Sequence, residues 1–165
     1  MIDYLFIGDS YTQGACVNRG ENIPDSLRKI SNKSVLNLGM RGNGTLIEYA
    51  TLKEYTKDKN IKNLILIFTV NDIEDLEIEK KNLILKKYLD NENYTQNLKS
   101  KQKKIDDFII NFIEKKSKII ESTKFSFFKL SKTRSFIKKV ITSNQRAQLD
   151  KSEDYQTFYE IIKKI

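Results

Sequence analysis

The sequence predicts an α/β fold built on a parallel sheet, and three observations carry that expectation. Short apolar runs at residues 4–7, 35–38 and 64–68 have the length and character of strands buried on both faces. Stretches with helical spacing separate them. The polar loops that follow them hold most of the glycines, at the end of the sheet where open α/β folds bind ligands.

The elements follow in chain order. Tyr4-Leu5-Phe6-Ile7 stops at Gly8, and Val35-Leu36-Asn37-Leu38 stops at Gly39. Between them Pro24 marks a helix start, with Leu27 and Ile30 on a shared face. Thr45 with Glu48 three residues later is a capping-box pattern, and Leu46, Ile47 and Ala50 give that helix an apolar side. Leu64-Ile65-Leu66-Ile67-Phe68 is the third strand and the most apolar. Strand, helix, strand, helix, strand argues for a parallel sheet covered on both faces. The second half reads as helix and loop. Ile105, Phe108, Ile109, Phe112, Ile113, Ile119 and Ile120 repeat at three and four. Phe136, Ile137, Val140 and Ile141 repeat the spacing briefly, and Tyr155, Phe158, Tyr159, Ile162 and Ile165 do so at the end. No strand is expected after residue 70. The division expected is an α/β core over residues 1–76, a basic helical insertion over 77–150 and a helix over 151–165.

Composition narrows the chemistry. A chain of 165 residues, 39 % apolar and 32 % charged, suits one domain with a sizeable core. No apolar run approaches the ~18 residues of a membrane span. One cysteine excludes an internal disulfide, and the absence of histidine removes the usual zinc sites. It also means that a mechanism needing an imidazole base cannot be completed by these residues alone. The net charge of +8 divides unevenly, with −1 over residues 1–76 and +9 over residues 77–165. Lysines outnumber arginines 25 to 5, and arginine is the usual residue for bidentate phosphate or base contacts. Nucleic-acid binding is therefore not favoured. The lone cysteine and the lack of a basic-then-apolar leader fit the cytoplasm, whereas an upstream segment would admit the cell envelope.

Gly8-Asp9-Ser10 follows the first strand, residues 37–44 (NLGMRGNG) follow the second, and Asn71-Asp72 follows the third. Each residue has a plain structural role open to it. Ser10 suits a helix cap, Asn71 a turn or cap, and Gly39, Gly42 and Gly44 suit turns. Asp9 and Asp72 are expected to brace the loops by hydrogen bonds, and Cys16 to be a small core residue.

Taken in order and placed after successive strands, these segments resemble the blocks of the SGNH (GDSL-type) hydrolase superfamily. YLFIGDSYTQG is similar to its nucleophile block, VLNLGMRGNG to its glycine block and LILIFTVND to its asparagine block, and the resemblance spans about residues 3–76. It implies a three-layer, flavodoxin-like α/β/α fold with strand order 2-1-3-4-5, of which about three strands are legible here. It also implies a serine ester hydrolase acting through an acyl-enzyme on a small or carbohydrate ester, with no cofactor or metal. Ser10 would be the nucleophile. Its backbone N–H, that of Gly42 (Gly39 being the other register) and the Asn71 amide would form the oxyanion hole. An amide suits that place because it donates without titrating. This is not the Gly-x-Ser-x-Gly elbow, since Thr12 takes the second glycine's place.

Two departures stand out. The superfamily's closing Asp-x-x-His block is absent, with Thr157 three residues after Asp154, and Thr69 stands where the third block usually has glycine. A Ser-x-x-Lys base is absent too, because Gln13 occupies that spacing. The chain is therefore expected to be a segment ending before strand four, inactive as it stands. The alternatives are a non-catalytic binding protein using the same rim, or a membrane- or nucleic-acid-binding module in residues 77–165. Phe125, Phe127 and Phe128 among lysines would serve that module, with peripheral membrane contact as its form.

Overall fold

A computed structural model of the protein describes residues 1–122 and 152–165. The chain divides into two compact units, Met1–Lys99 with Ser152–Ile165, and Ser100–Lys151. The expected aromatic segment holding Phe125, Phe127 and Phe128, and the brief repeat from Phe136 to Ile141, lie outside the described residues.

The first unit is built on β1 (Ile2–Gly8), β2 (Val35–Asn37) and β3 (Ile61–Ile67), all parallel in the order β2-β1-β3. Tyr4 lies opposite Val35 on one side of β1, while Leu5 and Gly8 lie opposite Leu64 and Ile67 on the other. Leu5, Phe6 and Ile7 are all buried, as in a central strand covered on both faces. The order reverses direction after β2, and the right-handed rule for parallel crossovers then calls for α-helical connections on opposite faces before and after β2. The α/β class and parallel sheet expected from the sequence are present, with a helical C-terminal region.

Gly8 closes β1 under a steric constraint. A Cβ there would stand 2.1 Å from the Thr12 hydroxyl and 2.7 Å from the Ile67 carbonyl. The strand can therefore turn directly into α1 (Ser10–Gln13), which ends after one turn at Gly14 in the left-handed conformation. Next comes α2 (Ile23–Ser31), capped by Asn22, whose side chain accepts from the Asp25 N–H at 2.7 Å. Pro24 sits in its first turn as expected, but Ile30 points to solvent at 83 % exposure.

The remaining helices of this unit are α3 (Thr45–Thr56), α4 (Asn71–Glu79), α5 (Leu83–Asp90) and α7 (Ser152–Lys164); α6 (Gln102–Ser122) belongs to the second unit. Leu46, Tyr49 and Ala50 of α3, Leu76 of α4, Tyr88 of α5 and Ile161 of α7 form one buried cluster. In α7 part of the expected stripe packs, with Phe158 and Ile165 against the buried cluster. Asp154, Thr157 and Ile161 are buried, while Tyr155 and Tyr159 stay exposed. Asp154 is buried in a 2.8 Å ion pair with Lys80, so an ionic contact joins the apolar ones on the packed side of the helix. The helix expected from residue 105 onward is α6, and its Phe108, Ile109, Phe112 and Ile113 are exposed. Strand β3 begins three residues before the apolar run and so carries the exposed Lys62, which pairs with Asp3 at 2.9 Å.

The capping box expected at Thr45 and Glu48 does not form. The N-cap of α3 is Gly44, without a side-chain cap, and the open N–H groups are served from another helix. The Glu79 carboxylate of α4 accepts from Gly44 and Leu46 at 2.7 and 2.9 Å, and more distantly from Ile47 at 3.4 Å. A carboxylate at a helix N-terminus also meets the favourable end of the helix dipole.

A second buried carboxylate closes the other end of the unit. Glu54 accepts from the Tyr88 hydroxyl, the Thr95 hydroxyl and the N–H groups of Gln96 and Leu98, all within 2.8 Å. Burial alone would raise its pKa, but these donors outweigh burial and hold it below the ordinary value. Glu54→Ala is expected to cost about 3 kcal/mol in urea unfolding, because four donors lose their acceptor, and Tyr88→Phe about 1 kcal/mol. Losses below ~0.5 kcal/mol for Glu54→Ala would refute this role for the hub.

Candidate active site

Strand β1 leads into a turn whose first residue is Asp9, and the local chemistry there is decided by its carboxylate. Asp9 is the N-cap of α1, with Oδ1 accepting from the Tyr11 N–H at 2.9 Å. The capping role open to Ser10 thus belongs to its neighbour, and Ser10 is the first helical residue. The other oxygen, Oδ2, is a shared acceptor. It lies 3.4 Å from Ser10 Oγ, 3.2 Å from Thr69 Oγ1 and 3.3 Å from Asn71 Nδ2. One atom therefore joins the turn after β1 to the loop after β3. Burial pushes the Asp9 pKa upward, but the Tyr11, Asn71, Thr69 and Ser10 donors outweigh it and leave Asp9 below the usual carboxylate value.

Thr69 is the second node. Its hydroxyl is 2.8 Å from Asn71 Oδ1 and 3.3 Å from Asp72 Oδ1, while its N–H donates to Asp72 Oδ2 at 2.6 Å. A hydroxyl has one proton, so it donates to one of these oxygens at a time, and the Asn71 oxygen is the nearest. Where the superfamily pattern has glycine, this chain places a side chain that orients Asn71. The Asn71 amide nitrogen in turn reaches Asp9 and Asp75, at 3.3 and 3.4 Å. Both contacts exceed the common N–H···O length of ~2.9–3.0 Å. The amide is exposed, and a stronger acceptor would draw one of its hydrogens away.

The glycine loop is fixed to the same turn from the other side. The Met40 N–H donates to the Gly8 carbonyl at 3.1 Å and the Arg41 N–H to Gln13 Oε1 at 2.8 Å. Met40 to Asn43 forms a turn closed by the Asn43 N–H on the Met40 carbonyl at 3.2 Å, with Gly42 at φ +84° in its third position. Gly42 is exposed, and no acceptor meets its N–H among the described residues. Gly39 differs, because its N–H donates to Asn37 Oδ1 at 2.8 Å. The structure thus brings Ser10 and Asn71 together on Asp9, and holds the loop of Gly42 against the turn that carries Ser10.

Behind this rim stands a group of carboxylates that sequence reading missed. Asp72, Asp75 and Glu79 recur at three and four along α4, a spacing that puts them on one helix face. Glu48 joins them from α3, almost wholly buried. Burial, reinforced by Asp72, Glu79, Asp9 and Asp75, pushes the Glu48 pKa up to about 9. Burial likewise raises Asp72 to about 6 and Glu79 to about 7, although backbone donors oppose it at both. Among the described residues, Glu48 Oε1 and the Thr45 hydroxyl have no hydrogen-bond partner. No group of carboxylate or thiol side chains there is arranged to hold a metal ion among the described residues.

Cys16 is exposed rather than a core residue, because α1 ends at Gly14 and the chain passes over the surface there. Asp154 is engaged by Lys80, and Thr157 bonds the Glu153 carbonyl at 3.0 Å within its own helix.

No protein-family model and no curated protein matches the chain. Among solved structures it is similar to AlinE4, an esterase of the SGNH-hydrolase family, and to a mutant of that esterase. Each likeness has 18 % identity and a TM-score of 0.37, covering 63 % of this chain and 55 % of the other. The chain spans about half the length of that esterase.

The raised carboxylates set a pH dependence of stability. Glu48, Asp72 and Glu79 hold protons in the folded state at pH values where the unfolded chain has released them. Their contribution to stability is therefore fully present below the unfolded values and is lost as pH rises through the folded ones. Between about pH 5 and 9 the melting temperature should fall. Glu48→Gln should flatten that fall, gaining at most about 5 kcal/mol at pH 8 and less than about 1 kcal/mol at pH 5, since each pKa unit is worth ~1.4 kcal/mol. An unchanged slope in Glu48→Gln would contradict the assignment.

Proposed function

We propose that this chain carries the acyl-transfer half of a serine ester hydrolase of the SGNH type, with Ser10 as nucleophile. Gly42 and Asn71, with the Ser10 N–H, serve as oxyanion donors. The observation that supports it best is the shared Asp9 carboxylate, which collects the Ser10 hydroxyl and the Asn71 amide at one oxygen. The open N–H of Gly42, set against the engaged N–H of Gly39, favours the Gly42 register.

In this reading the Ser10 oxygen attacks the ester carbonyl, and the carbonyl oxygen takes up negative charge. Donors already aimed at that oxygen stabilise it most, because no reorganisation is needed as the charge develops. The Asn71 amide supplies one such donor by exchanging a long contact to Asp9 or Asp75 for a short one to the oxyanion. The intermediate collapses by breaking the ester C–O bond, the alcohol leaves with a proton, and water then attacks the acyl-serine and releases the acid.

A base must accept the serine proton, and this chain has no histidine. Asp9 is near enough, yet its lowered pKa makes it a weak base. Asp9, held ionised by its donors, puts a negative charge beside the site that opposes an oxyanion but suits an imidazolium. The same charge supports the second reading, a binding protein that uses this rim without turnover.

Exogenous imidazole tests the proposal. With p-nitrophenyl acetate in plain buffer, no Ser10-dependent turnover is expected. Added imidazole should yield an acetyl group on Ser10, located by peptide mass spectrometry and absent in Ser10→Ala. Asn71→Ala should slow that acetylation about 100-fold while keeping a cooperative melt, as for other lost oxyanion donors. An unlabelled Ser10 would favour the binding reading. Steady turnover without imidazole that vanishes in Ser10→Ala would show that a base is already present.

A further inference from the structure

Beside the Ser10 hydroxyl lies a cavity of about 450 Å³, within the usual range for small-molecule sites. Its walls come from the chain between α1 and α2 and are mainly apolar: Tyr11, Gly14, Ala15, Val17 and Ile23. Three of these side chains stand in water to a degree unusual for their type, with Tyr11 66 %, Val17 49 % and Ile23 51 % exposed. The left-handed Gly14 turns the chain back after α1, and the Asn22 amide donates to the Gln13 carbonyl at 3.4 Å across the base of the excursion.

Two polar side chains of the rim already have partners outside the cavity wall. Glu21 accepts from the Asn18 side chain at 2.9 Å and from the Asn18 N–H at 3.3 Å. Asn22 Oδ1 accepts from the Asp25 N–H at 2.7 Å. A sugar ring in this cavity would set most of its hydroxyls against apolar walls, and each buried unpaired hydroxyl is costly. An alkyl chain brings none. The Ser10 hydroxyl lies in the wall and is held by a long contact, 3.4 Å to Asp9, so an ester carbonyl meets it beside an apolar space.

We infer that the cavity formed by Tyr11, Ala15, Val17 and Ile23 takes the unbranched alkyl chain of the ester whose carbonyl Ser10 attacks, so that the substrate is an alkyl-chain ester rather than an acetylated sugar. The inference rests on Ser10 being the nucleophile, but the cavity is tested without turnover. Either side of the ester could supply the chain, its acyl group or its alcohol, and the same experiment distinguishes them.

The chain's single cysteine, Cys16, lines this cavity and is exposed, which makes it a reporter of occupancy. The test measures the rate of Cys16 alkylation by iodoacetamide in the presence of methyl hexanoate, hexyl acetate or methyl acetate at equal concentration. At least one six-carbon ester should slow alkylation about fivefold at ~80 % occupancy, with methyl acetate without effect. The ester that protects identifies the side bearing the chain. The protecting concentration should rise about fourfold for each methylene removed. Ile23→Asp should abolish protection and still fold, since an acidic residue in the first turn of α2 suits the helix dipole. Equal protection by methyl acetate, no protection by any ester, or full protection in Ile23→Asp would overturn the inference. Protection of Cys16 together with an unreactive Ser10 would keep the cavity and remove the hydrolase reading, whereas an acetylated Ser10 with an unprotected Cys16 would do the reverse.

Discussion

The carboxylate of Asp9 is the constraint on which the rest of the rim depends. A buried charge needs compensation from hydrogen bonds, and Asp9 receives it from the Tyr11 N–H on one oxygen and from Ser10 and Asn71 on the other, with the Thr69 hydroxyl 3.2 Å away and able to donate there in place of the Asn71 oxygen. Those donors come from loops about sixty residues apart in sequence, which the order β2-β1-β3 makes neighbours. The parallel sheet thus decides which loops meet, and a single charged atom decides how their side chains are directed. Replacing that charge would free the Ser10 hydroxyl and one hydrogen of the Asn71 amide together, while Thr69 would still hold the Asn71 oxygen at 2.8 Å.

A second layer of carboxylates sets the loop heights. Glu79 reaches from α4 to the start of α3, and in doing so holds Gly44 at the end of the loop that carries Gly42. The cost is electrostatic. Glu48, Asp72 and Asp75 stand near it, and the group is kept tolerable by protonation, as the raised pKa values of Glu48, Asp72 and Glu79 express.

Much of this was readable from residues alone, for physical reasons. A central parallel strand buries both faces, so residues 4–7 announce themselves by unbroken apolarity, and the two following runs behave alike. The loops after them were legible because glycine and asparagine stand where ligands bind in such sheets. Contacts between distant helices left weaker traces. Thr45 and Glu48 carry the spacing of a capping box, yet the cap comes from Glu79, which no local pattern links to Gly44. In α7 the Lys80–Asp154 ion pair adds a polar residue to the packed side, which the aromatic stripe does not announce. Cys16 looked like a core residue by type, but the left-handed Gly14 sends the chain across the surface. Only the three-four spacing of Asp72, Asp75 and Glu79 was available to find the carboxylate face, and its burial depends on α3.

The central claim is that Asp9 couples the Ser10 hydroxyl to the Asn71 amide, and a double-mutant cycle tests it most directly. The rate of imidazole-assisted acetylation of Ser10 would be measured in the unaltered chain, in Asp9→Asn, in Asn71→Ala and in the double variant. If Asp9 acts by directing Asn71, the second substitution adds little to the first, and the double variant is about as slow as the slower single one. If the two losses simply multiply, Asp9 and Asn71 act independently and the shared carboxylate does not organise the site.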